Sequence, residues 1–145
     1  MKITKVVEIE TSPEKVFDLI SNVEDFSSYS SLIKGVKKLT PNRYRWTAEI
    51  AGISFEWDAA ITQFERPVNL GWSSVKGLKI SGTYNLKAID GGTRVYFTME
   101  YHLPIHILDR LTEPLIENLL QSVAQEVLTN VKRRLKENGM KNEKP

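Results

Sequence analysis

The chain has 145 residues, 20 Lys and Arg against 18 Asp and Glu, a formal charge of +2 and no cysteine. That length supports one substantial core and is short for two, and the balanced charge argues against a protein that grips nucleic acid through a broad basic face. Missing cysteine excludes disulfides, thiolate catalysis and cysteine-ligated metals. No apolar run is as long as a bilayer span and no signal-peptide core opens the sequence, so a cytoplasmic location without stable membrane insertion is expected.

A first strand is expected over Ile3 to Thr11, with Val7 and Ile9 on one face and Glu8 and Glu10 on the other; Val6 breaks the alternation. Two short helices follow. Thr11-Ser12-Pro13-Glu14 places a hydroxyl at the N-cap, proline at the first helical position and an acid near the positive end of the helix dipole, ahead of Val16, Phe17, Leu19 and Ile20. Ser21-Asn22 stops and restarts the chain into a second helix from Val23 to about Tyr29, after which the serine-rich Ser27 to Ser31 reads as a loop.

From Gly35 to Leu103 apolar and polar residues alternate through six successive strands. Tyr44, Trp46, Ala48 and Ile50 share one parity, and Ile53, Phe55, Trp57, Ala59 and Ile61 the next. Leu70 and Trp72, then Ile80, Gly82, Tyr84 and Leu86, then Val95, Phe97, Met99 and Tyr101 continue the stripe. Pro41-Asn42, Ala51-Gly52, Arg66-Pro67, Lys76-Gly77 and Asp90-Gly91-Gly92 separate the runs with residues suited to tight turns. Connections this short make neighbouring strands antiparallel.

Helical periodicity then takes over. Leu108, Leu111, Leu115, Leu119, Leu120, Val123, Val127, Val131 and Leu135 recur at threes and fours, with polar residues such as Glu117, Gln121 and Lys132 elsewhere. One helix from Ile105 to Glu137 would be about 50 Å long, against a globule about 40 Å across. Thr112-Glu113-Pro114 reads as a fresh N-terminus that splits off a short turn and leaves a main helix of about 35 Å from Pro114. The expected organisation is a single domain over residues 1–137 with a flexible tail at 138–145. The fold class is α+β: a seven-stranded curved antiparallel sheet wrapped around a long C-terminal helix.

This order of elements resembles the helix-grip fold of the START-related and birch-pollen-allergen-like superfamily (SRPBCC), in its polyketide cyclase/dehydrase and lipid transport branch. The resemblance spans Ile3 to about Glu137. Ser12-Pro13-Glu14-Lys15-Val16-Phe17 looks like that branch's entry to its first helix, Asn22-Val23-Glu24-Asp25-Phe26 like its second, and Gly91-Gly92-Thr93-Arg94-Val95 like the hairpin before its last strand. A tryptophan-containing motif often found after the second helix is replaced here by Ser28-Tyr29-Ser30-Ser31. The branch has no universal catalytic signature to carry over.

The resemblance implies binding or transport of a hydrophobic molecule, such as a lipid, quinone or polycyclic aromatic, between sheet and helix. Candidate walls from the sheet are Trp46, Phe55, Trp57, Trp72, Tyr84, Phe97, Met99 and Tyr101, and from the helix Leu115, Leu119 and Val123. A stripe of this kind is equally explained as solid core, since burying each aromatic stabilises by a few kcal/mol with or without a ligand. Two alternatives stay open: a cyclase/aromatase-like enzyme, and an accessory protein, similar to an accessory subunit of carbon monoxide dehydrogenase, whose groove holds part of an unspecified protein partner. Catalysis would need an acid or base in the cavity, whereas Glu49, Glu56, Asp58 and Glu100 take the outward parity, leaving Tyr84 and Tyr101 as hydrogen-bond donors. Binding is therefore favoured over catalysis, with no catalytic residue assigned and no cofactor. His102 and His106 are four apart, but Pro104 between them opposes the continuous helix that would make them a metal pair, and no metal site is expected. Lys132, Arg133, Arg134 and Lys136 complement the carbonyl end of the last helix.

Overall fold

A computed structural model describes residues 1–103 and 112–143. The elements run β1 (Lys2–Ile9), α1 (Pro13–Ile20), a 3-10 helix (Val23–Ser28), β2 (Ile33–Thr40), β3 (Arg43–Ile50), β4 (Ile53–Glu65), β5 (Asn69–Gly77), β6 (Lys79–Ile89), β7 (Gly92–His102) and α2 (Glu113–Glu143). Leu108, Leu111, His106 and the short turn expected from Ile105 lie outside the described residues.

Among the described residues, seven strands form one antiparallel sheet in the order β1-β7-β6-β5-β4-β3-β2. After β1 the chain crosses to the far edge through α1 and the 3-10 helix, then meanders back until β7 pairs with β1, Ile3 lying opposite Met99 and Ile9 opposite Thr93. Register shifts between Asp58 and Ala59 and between Ile61 and Gln63 bend β4 against β5, and others interrupt the β2–β3 ladder. Such bulges increase local twist and curl a long sheet. The sheet grips α2, as in a helix-grip fold.

Local sequence accounts for the boundaries. Ser12 caps α1, its hydroxyl oxygen accepting from the Lys15 amide at 3.4 Å, with Pro13 opening the helix. Ala51 and Gly52 both have positive φ, 52° and 79°, which is the backbone of a two-residue hairpin turn between β3 and β4. Helix α2 starts at the expected place, with Pro114 in its first turn and the Thr112 carbonyl accepting from Ile116 at 3.1 Å. It extends to Glu143, beyond the Glu137 boundary that the sequence suggests, and its 31 residues measure about 46 Å.

The alternation appears as burial. Tyr44, Ala48, Trp57, Ala59, Leu86, Val95, Phe97 and Tyr101 are buried along the inward parity. In β1, Ile3 and Ile9 are buried while Val6, the residue that breaks the alternation, is 54 % exposed on the outer face. The helix stripe is Ile116, Ala124, Val127, Leu128, Val131 and Leu135, with Leu120 and Val123 half-buried beside it. Two long-range bonds tie α2 to the loop that follows the 3-10 helix: Glu126 Oε1 accepts from the Ser31 amide at 2.8 Å, and Asn130 Nδ2 donates to the Tyr29 carbonyl at 2.8 Å.

Candidate functional site

Between the concave face of the sheet and α2 the core is hollow. The cavity measures about 130 Å³. An engineered apolar cavity of about 150 Å³ stays dry and holds benzene, so this one has room for roughly a single ring.

Six aromatic rings make a connected wall. Trp46 and Trp57, cross-strand partners on β3 and β4, stack with centroids 5.9 Å apart and planes 8° from parallel. Phe26 of the 3-10 helix stands edge-on to Trp46 at 5.7 Å and to Tyr84 at 6.4 Å. Tyr84, Phe97 and Trp72, on β6, β7 and β5, close the series at 5.0 to 6.1 Å from one another. Trp72 lies flat because its cross-strand partner is Gly82. A Cβ there would collide with the Trp72 indole, so any larger residue would push the ring aside. Aliphatic side chains from α1, the 3-10 helix, β2 to β6 and α2, with Tyr44 and Met99, complete the lining.

Of the residues singled out by sequence, Trp46, Trp57, Trp72, Tyr84, Phe97, Met99 and Val123 border the cavity, and Phe55, Tyr101, Leu115 and Leu119 do not. Phe55 has the inward parity and is buried in the core without bordering the cavity. Tyr101 is 1 % exposed and packs toward the start of β1, its hydroxyl donating to Met1 Sδ at 3.6 Å. Leu115 is 46 % exposed. At 100° per residue it sits roughly 150° around α2 from the centre of the buried stripe, and Leu119 roughly 110°. The apolar pairs Leu115-Ile116 and Leu119-Leu120 satisfy helical spacing equally well, and the phase is decided by Val131 and Leu135, which must also face the core. Leu120, Ala124, Val127 and Leu128 are the residues that α2 brings to the cavity beside Val123. The sequence reading also misses Phe26, Val23 and Ile20. Val23 and Phe26 are three apart, the repeat of a 3-10 helix, which was the available signal.

Asp, Glu, Lys, Arg and His are absent from the cavity-lining residues among those described. Glu49, Glu56 and Glu100 are exposed on the outer face. There Asp58 accepts two bonds from Arg45, at 2.8 and 3.1 Å, which hold its carboxyl below the ordinary carboxylate value. The polar atoms at the cavity belong to neutral groups. Burial, with Tyr29 nearby, pushes the Tyr84 hydroxyl well above its usual value, so it stays protonated and can donate a hydrogen bond. Away from the cavity space, the Trp57 indole nitrogen and the Tyr29 hydroxyl are buried without a hydrogen-bond partner among the described residues, a condition that costs about 1 to 3 kcal/mol per group. His102 is exposed, and Lys132, Arg133, Arg134 and Lys136 are exposed along α2. Among the described residues no group of three His, Cys, Asp or Glu is placed to hold a metal ion, and no helix is long and apolar enough to cross a membrane.

A family model described as polyketide cyclase / dehydrase and lipid transport matches residues 1–136. Solved structures share the fold at low identity. A protein from Thermus thermophilus is 23 % identical with a TM-score of 0.81, over 93 % of this chain and 97 % of that one. A START superfamily protein from Mycobacterium smegmatis is 18 % identical with a TM-score of 0.75, over 94 % and 97 %. The Zhui aromatase/cyclase from Streptomyces sp. R1128 is 13 % identical with a TM-score of 0.77, over 94 % and 93 %. Among curated proteins, none matches the chain.

Proposed function

Because the chain belongs to the polyketide cyclase/dehydrase and lipid transport family, we propose that it binds a small hydrophobic molecule in the cavity between sheet and α2. The observation that carries this reading is the void itself. Proteins pack their interiors to the density of organic crystals, and leaving about 130 Å³ empty forgoes about 3 kcal/mol of packing. A ligand recovers that energy. The size also narrows the ligand class: a single ring or a short apolar chain fits, whereas a long lipid or a polycycle requires the walls to part. Binding is favoured over a cyclase-like reaction because the lining, among the described residues, offers no carboxylate, imidazole or amine to move a proton.

All three tryptophans border the cavity, which makes intrinsic fluorescence a direct reporter. Ethylbenzene added to the full chain should change the emission and raise the melting temperature, because a ligand that binds only the folded state stabilises it by mass action. Leu120→Trp should abolish both responses by filling the space. If ethylbenzene moves neither emission nor melting temperature in the unaltered protein, the cavity is not a binding site and this reading falls.

A further inference from the structure

Strand β4 outruns its neighbour β3. Their pairing ends with Arg43 opposite Ala60, while β4 continues to Glu65. The Ile61 amide still donates to the Asn42 carbonyl at 2.8 Å, but between Ile61 and Gln63 the register with β5 shifts and passes over Thr62. A bulge of this kind bends the strand and re-aims its side chains. Beside the bend, between Ser21 at the end of α1 and the Pro41-Asn42 turn, the surface carries a recess. Tyr44, Ile61 and Leu70 line both this recess and the inner cavity, so they are the wall between the two spaces. Packing alone holds Tyr44 in that wall. Its neighbours across the ladders are Ala59, which is small, and Lys38, which is exposed. Among the described residues its side chain makes no hydrogen bond and no ring contact, whereas Tyr84 packs against both Trp72 and Phe97.

We propose that the binding site continues past Tyr44 into this recess, and that its ligand is a ring or short apolar chain bearing an uncharged polar tail. The apolar part fills the cavity, Tyr44 turns aside over Ala59, and the tail lies in the recess. The proposal rests on the binding reading above and adds to it the extent of the site and the chemistry of the ligand. Ser21, Asn42, Thr62 and Gln63 bring uncharged polar groups to the recess, and Asp, Glu, Lys, Arg and His are absent from its lining among the described residues. A molecule spanning both spaces keeps its apolar end dry and its polar end beside hydrogen-bonding groups and water, so no polar atom is buried unpaired.

Two neutral probes separate one room from two: ethylbenzene, which the cavity alone can hold, and 4-phenyl-1-butanol, whose longer tail ends in a hydroxyl. Fluorescence titration of the full chain should give 4-phenyl-1-butanol about tenfold tighter binding than ethylbenzene, from the additional methylenes removed from water. Ser21 lies outside the cavity lining. Ser21→Phe, which fills the recess, should remove that advantage and leave ethylbenzene affinity within about twofold of the parent value. In the unaltered protein, bound 4-phenyl-1-butanol should give nuclear Overhauser contacts from its hydroxymethyl protons to Asn42 and from its ring protons to Trp72, a measurement that decides the matter even if Ser21→Phe does not fold. Binding of 4-phenyl-1-butanol no tighter than that of ethylbenzene, an advantage that survives Ser21→Phe, or a tail without contact to Asn42 overturns the proposal and leaves the hydrophobic cavity standing. Failure of both probes to bind overturns this proposal and the binding reading together.

Discussion

The interior has two halves of the same polarity and different texture. Around α1, where it packs on β6, β7 and α2, the core is solid: Val16, Phe17, Val95 and Val131 are at most 2 % exposed, and Thr93 is sealed by a bond from its hydroxyl to the Thr11 carbonyl at 2.7 Å. Beneath the middle of α2, the facing strands carry large flat rings that stack on one another and leave a void. Around α1 the side chains interlock, whereas the stacked indoles present a plane that the helix residues facing them, Ala124 among them, leave uncovered. Hydrophobicity is therefore common to both halves, and the shape of the side chains separates a structural core from a container.

Changes matched to each half should break this contrast in order of size. The largest effect belongs to the solid half: Phe17→Ala removes a fully buried ring that also meets Phe64 edge-on at 5.1 Å, and should cost about 3 to 5 kcal/mol in urea unfolding. A loss below about 1 kcal/mol would mean that this half is no tighter than the other. Next comes Gly82→Ala, whose Cβ displaces the Trp72 ring from its seat. Ethylbenzene affinity should drop about tenfold or more, and stability by about 1 to 3 kcal/mol, as overpacking does; unchanged affinity would show that Trp72 does not limit the cavity. Ala124→Leu works in the opposite direction by filling the void from α2. It should stabilise the protein by about 1 kcal/mol while weakening ligand binding, and destabilisation instead would show that the space is not free.

The smallest effect lies on the outer face of the sheet. The Arg45 guanidinium lowers the Asp58 carboxyl below its ordinary value of 3.8. A carboxyl depressed in the folded state stabilises the protein above its unfolded value and loses that contribution as pH falls through the folded one. Asp58→Asn should therefore flatten the decline of the urea midpoint below about pH 4 and leave ethylbenzene binding untouched. A variant that follows the same acid limb as the parent protein would remove this pair from the account.

Much of the fold was legible because its signals are local. Alternation marked the strands, Ser12-Pro13 and Thr112-Glu113-Pro114 marked helix starts, and Ala51-Gly52 marked a hairpin. Those signals depend on a few neighbouring residues and on backbone geometry. The same parity brought Trp46, Trp57, Trp72, Tyr84, Phe97 and Met99 to the inner face, where all border the cavity. Parity could not distinguish them from Phe55 and Tyr101, which are buried on the same face without bordering the cavity.

Spacing alone likewise left the phase of α2 undecided between Leu115 and Ile116, because adjacent apolar residues fit either turn. Only the demand that Val131 and Leu135 reach the core at the other end chose Ile116. The sequence by itself determined which residues are apolar, how they repeat and where the chain turns. Tertiary structure alone decided that the space between them stays open, since a void is the difference between the volume that the curled sheet and helix enclose and the volume that their side chains fill. That difference follows from the distance and phase between elements far apart in the chain, which no local pattern encodes.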